Sequence, residues 1–152
     1  QETNCVIKFG RKSIYLEVKE KLKSTNINTM PYPGFPTDMQ QIFSSLLSIS
    51  NGISEVEENI FENRFSFVNE LRKMGALIEI DKNKLIITGK ENLNGTIVEG
   101  TDLRGTAALV IAGLNARGTT YVNNIEFLLR GYENLDKKLN LLGANVKVEE
   151  VR

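Results

Sequence analysis

The stretch Leu71-Arg72-Lys73-Met74-Gly75-Ala76-Leu77-Ile78 returns in altered form as Leu139-Asn140-Leu141-Leu142-Gly143-Ala144-Asn145-Val146. Each copy ends an apolar helical run on Gly-Ala and then turns extended, so the glycine reads as a helix C-terminal cap before a strand. Working outward, further pairs fall in the same order. Pro36-Thr37-Asp38-Met39-Gln40 matches Gly100-Thr101-Asp102-Leu103-Arg104, and Gly52-Ile53-Ser54-Glu55-Val56 matches Gly118-Thr119-Thr120-Tyr121-Val122. Arg64 then falls on Arg130. Matches that keep their order along a chain mark an internal repeat.

Each copy reads strand, helix, strand, helix, strand, and the first adds one more strand. Met39, Ile42, Phe43, Leu46 and Leu47 recur at helical spacing, with Pro36-Thr37-Asp38 suited to start that helix. Gly52 to Glu58 reads as a short strand. Phe65, Val68, Leu71 and Met74 line a second helix ending at Gly75. Ala76–Asp81 and Lys84–Thr88 form a hairpin across Lys82-Asn83. In the second copy a helix carries Leu103, Ala107, Val110, Ile111 and Leu114, and Gly118–Val122 is the strand. Leu135, Leu139 and Leu142 lead to Gly143, followed by a strand over Ala144–Glu149 with no hairpin partner. Cys5–Phe9 and Ser13–Val18 read as the closing hairpin of an earlier unit, and Gly89–Gly95 as a linker. The expected fold class is therefore α/β (α+β), in repeat units. The divisions are residues 1–24 for the closing hairpin, 27–90 for a complete repeat and 95–152 for a last repeat lacking its final strand. Both ends read as cut, and the start at Gln1 suggests a processed or truncated chain.

Composition narrows the function. Lys+Arg 19 balances Asp+Glu 19, which offers no field for nucleic acid or acidic lipid. No apolar run approaches the ~20 residues of a membrane span. The single Cys5 fits a reducing compartment and reads as a buried, inert thiol. No histidine is present, so the usual general base and metal ligand are missing. No metal or cofactor is expected.

Asp38 and Asp102 fall at a strand-to-helix junction, and Arg64 and Arg130 at the next. In open α/β units such junctions gather at the carboxyl ends of strands, where ligands bind. Helix capping is the plainer explanation of the aspartates taken alone. The arginines, expected at helix N-termini, oppose the dipole there unless they share an anion with the helix amides. A structural ion pair with Asp38 or Glu62 is the plain alternative. With Arg104 close by, the set favours a substrate bearing phosphate or carboxylate. All three prolines fall within Pro31–Pro36, a stiff loop that suits either a pocket wall or a change of chain direction.

The segment Pro31-Tyr32-Pro33-Gly34-Phe35-Pro36-Thr37-Asp38-Met39-Gln40 resembles the UDP-N-acetylglucosamine 1-carboxyvinyltransferase family of enolpyruvyl transferases. Ile60-Phe61-Glu62-Asn63-Arg64-Phe65, Thr101-Asp102-Leu103-Arg104 and Arg130-Gly131-Tyr132-Glu133 agree with it, and the resemblance runs over essentially the whole chain. It implies a two-domain cytoplasmic enzyme, each domain an inside-out α/β barrel of three βαβαββ units with the active site between them. This chain would be a partial second domain. The implied reaction moves enolpyruvyl from phosphoenolpyruvate to the 3-hydroxyl of UDP-N-acetylglucosamine, at the start of peptidoglycan synthesis. The resemblance makes Asp38 the candidate base. It puts the backbone of Thr37 and Ile60 against the UDP-sugar and gives Arg130 the grip on phosphoenolpyruvate. Arg64, Asp102 and Arg104 would line the same cleft. The family's catalytic cysteine and its phosphoenolpyruvate-binding lysine belong to the other domain, the implied partner, so the chain alone is expected to be inactive. Leu129 stands where the family usually has aspartate, beside Phe127 and Leu128. That departure leaves open a non-catalytic UDP-sugar-binding relative. An enolpyruvyl transferase with another acceptor is the third reading.

Overall fold

The computed structural model describes residues 3–149. A two-stranded antiparallel hairpin comes first, β1 (Cys5–Phe9) with β2 (Ile14–Val18). The first repeat follows as β3 (Ile27–Asn28), α1 (Thr37–Leu47), β4 (Ile53–Glu57), α2 (Val68–Lys73), β5 (Leu77–Asp81) and β6 (Lys84–Thr88). Its four strands form one sheet in the order β3-β4-β6-β5. β3 runs parallel to β4, as a helical crossover requires, while β6 is antiparallel to both neighbours. Alternation along β4 and β6 buries Ser54, Val56, Leu85 and Ile87 on one face. Phe67 just before α2, Val68 and Leu71 within it and Met74 just after it fill that core.

The second repeat is built less fully. β7 (Leu93–Asn94) and β8 (Ile97–Glu99) lead to α3 (Leu103–Leu114), then β9 (Ala116–Arg117), β10 (Tyr121–Asn123), α4 (Glu126–Leu129) and α5 (Leu135–Leu141). β7 pairs parallel with β9, and β8 with β10. The stretch read from sequence as a linker thus carries β7, held by the Asn94 amide on the Met74 carbonyl at 2.8 Å. The duplication is visible in the backbone itself. Gly75 and Gly143, after α2 and α5, both take positive φ, +89° and +91°, where a Cβ is unfavourable.

Four expectations are corrected. Ala144–Glu149 is not a strand, because none of the described strands lies beside it to supply ladder bonds. The Asn140 side chain instead holds Val146 by both backbone groups, at 2.7 and 2.9 Å. The second helix begins only at Val68, since Arg64–Phe67 are occupied by turns that place Arg64 at the site. The strand expected from Gly118 begins at Tyr121, after Gly118 has turned the chain with φ +88°. Cys5 is half-buried rather than buried, because its hairpin has one face uncovered, with Phe9 80% and Ile14 70% exposed.

What positions the site is the contact of α1 with α3. The buried residues of both helices include small ones, Ser44 and Ser45 in α1 and Ala108 and Ala112 in α3. The Ser45 hydroxyl donates to the Ala108 carbonyl at 2.8 Å. Side chains of this size let two helix backbones approach closely. Contacts run from Asp38–Arg104 at one end to Ser45–Ala108, so the helices lie parallel and both N-termini share an edge.

Candidate functional site

Asp38 is the second residue of α1, yet it caps nothing: the N-cap Pro36 is extended and no side chain bonds the free amides. Its carboxylate turns outward and is shared by two arginines. Arg64 Nη2 donates to Oδ1 at 2.7 Å and Arg104 Nη2 to Oδ2 at 3.1 Å. The Asp38 side chain is 51% exposed, those of Arg64 and Arg104 20% and 28%. The hydrogen bond from Arg64 holds its pKa below the usual carboxylate value. Partial burial opposes that shift and the bond from Arg104 assists it.

Each arginine has further anchors. Arg64 Nη1 donates to the Thr37 hydroxyl at 2.7 Å, its guanidinium lies 4.7 Å from the Phe61 ring, and its carbonyl accepts from Gln41 Nε2 at 3.2 Å. Arg104 Nη1 donates to the Tyr132 hydroxyl at 2.8 Å and lies over the same ring at 5.4 Å. That bond first, and then Asp38, push the Arg104 pKa further up.

The matching aspartate of the second repeat has taken the other role. Asp102 is the N-cap of α3, accepting from the amides of Arg104 at 3.0 Å and Gly105 at 2.9 Å. Ser66 and Thr101 donate to its second oxygen, each at 3.2 Å. Equivalent positions have therefore diverged into a cap and an exposed anion.

The dipole argument for the arginines does not survive. Arg64 precedes α2 by a full turn, beyond the reach of its terminus, and its ion pair with Asp38 is the alternative the sequence left open. Arg130 is the C-cap of α4, where a cation is favoured. It is exposed, with its guanidinium 5.2 Å from the Phe127 ring, and among the described residues no carboxylate is within ion-pair distance of it. Two residues on, Tyr132 touches Arg104, which ties the Arg130 loop to the cluster. Leu129 is 58% exposed, so its apolar side chain points away from the core.

Sequence reading missed Glu58. It follows β4 and shares the inward face of Ser54 and Val56, only 3% exposed. It accepts from the hydroxyls of Thr29 at 3.0 Å and Thr37 at 2.7 Å, and from the amides of Ile60 at 2.9 Å and Phe61 at 3.1 Å. A carboxylate at an inward position of an alternating strand was the available signal. Beside it, residues Glu58–Ser66 with Ile80, Lys82 and Asn83 line an open cleft of about 860 Å³, which Arg64 borders. Among the described residues no group of three or more acidic or cysteine side chains is arranged to hold a metal ion.

A mixed α/β repeat of this kind matches a known class. The family profile for EPSP synthase (3-phosphoshikimate 1-carboxyvinyltransferase) covers residues 1–139, and the chain belongs to this family. Within it, the chain is similar to UDP-N-acetylglucosamine 1-carboxyvinyltransferases. It is 45% identical to that of Thermotoga petrophila over 150 residues, covering 99% of the chain and 36% of the relative. It is 52% identical to that of Buchnera aphidicola over 147 residues, covering 96% and 35%. The chain thus spans about a third of the length of these relatives. Among solved structures, the enolpyruvyl transferase NikO from Streptomyces tendae superposes with a TM-score of 0.86 at 27% identity, covering 96% of this chain and 34% of that one. EPSP synthase from Acinetobacter baumannii, at 18% identity and a TM-score of 0.70 over 97% of this chain and 35% of that one, shares the fold.

Proposed function

We propose that this chain is part of the second domain of an enzyme that transfers enolpyruvyl from phosphoenolpyruvate to the 3-hydroxyl of UDP-N-acetylglucosamine, releasing phosphate. The enzyme serves peptidoglycan synthesis, and through it cell shape and division, in the cytoplasm. In this reading residues 1–24 close an earlier unit, 27–90 form a complete repeat and 95–152 the last, and the first domain completes the cleft. One observation carries it: the exposed Asp38 carboxylate held between Arg64 and Arg104 at the shared edge of α1 and α3.

The chemistry follows from those groups. A bond forms between the sugar 3-oxygen and C2 of phosphoenolpyruvate, the bond from C2 to the phosphate oxygen breaks, and the hydroxyl proton passes to Asp38. While both guanidiniums hold it, Asp38 is a weak base, because protonation would cost two charge-assisted bonds. It becomes a better one as Arg104 turns toward the carboxylate and phosphate of an arriving substrate, while Arg64 stays to orient it. Arg130, exposed and without an ion-pair partner among the described residues, takes the phosphoenolpyruvate. Arg64, Arg104 and Asp102 line the cleft, and the backbone at Thr37 and Ile60 faces the UDP-sugar.

A phosphate-release assay tests this. The full-length parent should turn over and this chain alone should not; activity in the isolated chain would refute its being an incomplete site. Binding of UDP-N-acetylglucosamine by the parent without turnover would instead make it a non-catalytic relative. Turnover with a different acceptor would replace the sugar assignment.

A further inference from the structure

We propose that Glu58 is a positioning residue for the Asp38–Arg64 pair, acting through the Thr37 hydroxyl. This rests on the function proposed above and adds a residue to that machinery. The connection is a short relay with defined polarity. Thr37 Oγ1 donates its only proton to Glu58 Oε2 at 2.7 Å, which leaves its oxygen free to accept from Arg64 Nη1 at 2.7 Å. The other end of the same guanidinium holds Asp38 Oδ1 at 2.7 Å.

A threonine hydroxyl alone could point either way. The guanidinium can only donate and a carboxylate can only accept, so Glu58 gives the hydroxyl proton its acceptor and holds the Thr37 oxygen, and with it the Arg64 fork, in place. Burial makes the arrangement stiff. Glu58 is 3% exposed, and its Oε1 is also fixed by Thr29 and by the amides of Ile60 and Phe61. Those amides belong to the turn that carries Phe61 under the Arg64 guanidinium. One buried carboxylate thereby organises the turn, the hydroxyl and the arginine that holds Asp38.

The test is a cycle in the full-length parent. Glu58→Gln keeps the shape and an acceptor for the backbone amides, but aims an N–H at Thr37, so the hydroxyl proton loses its acceptor and a second donor competes with Arg64 for the hydroxyl oxygen. It should lower kcat by between about tenfold and a hundredfold, the scale for loosened positioning. In a Thr37→Val background the same change should cost little more, whereas Thr37→Ser should keep the full penalty. An unchanged kcat, or an equal penalty with and without the Thr37 hydroxyl, overturns the proposal. Should Glu58→Gln fail to fold, Thr37→Val must reproduce the loss where Thr37→Ser does not; equal rates for the two overturn it. If the unaltered parent transfers no enolpyruvyl, the function reading has failed, and a crystal structure of Glu58→Gln decides this one. Arg64 Nη1 leaving Thr37 Oγ1 supports it, and an intact bond overturns it.

Discussion

Arg104 of the second repeat reaches the Asp38 carboxylate of the first across 66 positions of sequence, Nη2 to Oδ2 at 3.1 Å. The bond joins equivalent edges of two duplicated units. It exists because α1 and α3 touch, Ser45 on the Ala108 carbonyl, which sets their N-termini side by side.

Asp38→Ala in the full-length parent should abolish most turnover, by about 10²–10⁴-fold for loss of a general base. Stability should change little, since a half-exposed ion pair contributes about 0–1 kcal/mol. Phosphate release and the thermal midpoint, measured together, check both halves. An unchanged rate would leave Asp38 as an ornament of the ion-pair cluster.

Asp102→Ala should behave in the opposite sense as to stability. It removes the N-cap of α3 and should cost about 0.5–2 kcal/mol, read as a lower denaturation midpoint. A midpoint no lower than that of Asp38→Ala would contradict the division of roles.

The pH dependence of Asp38 has a definite sign. Its folded pKa lies below the ordinary carboxylate value of 3.8, so its pairing stabilises the fold above that pH and is lost as pH falls through the lower, folded value. Comparing urea midpoints of wild type and Asp38→Asn at neutral pH and below pH 3.8 isolates this group. The wild-type advantage should shrink in acid; an advantage that grows would reverse the assignment.

Arg130→Lys keeps the charge but loses the planar fork. Apparent KM for phosphoenolpyruvate should rise by on the order of tenfold, with that for the UDP-sugar nearly unchanged. Steady-state kinetics decides. No rise would mean that this arginine, standing after Leu129, is not aimed at the substrate.

Ser45→Leu should force α1 from α3, because the site is 2% exposed and faces a helix backbone. Overpacking of this kind costs about 1–3 kcal/mol. Turnover should fall as well, since the Arg104–Asp38 bond depends on that approach. Preserved stability and rate together would show the helices to be loosely coupled.

Much of the architecture was legible. The Gly75 and Gly143 repeats, the helical spacing from Met39 to Leu47 and the hairpin across Lys82-Asn83 are local signals, and each reports an element that formed. The strand expected over Ala144–Glu149 failed for the opposite reason, since a strand exists only when another backbone completes its hydrogen bonds. Asp38 and Asp102 show the same boundary within the site. Sequence alone determined that both stand at the start of a helix, because propensity and spacing are properties of neighbours along the chain. Which of them caps its helix, and which is held outward by two arginines, was decided only when α1 met α3. Arg104 lies 66 positions from Asp38, and Glu58 and Arg64 lie 21 and 27 from Thr37, so only packing brings these groups within hydrogen-bonding distance.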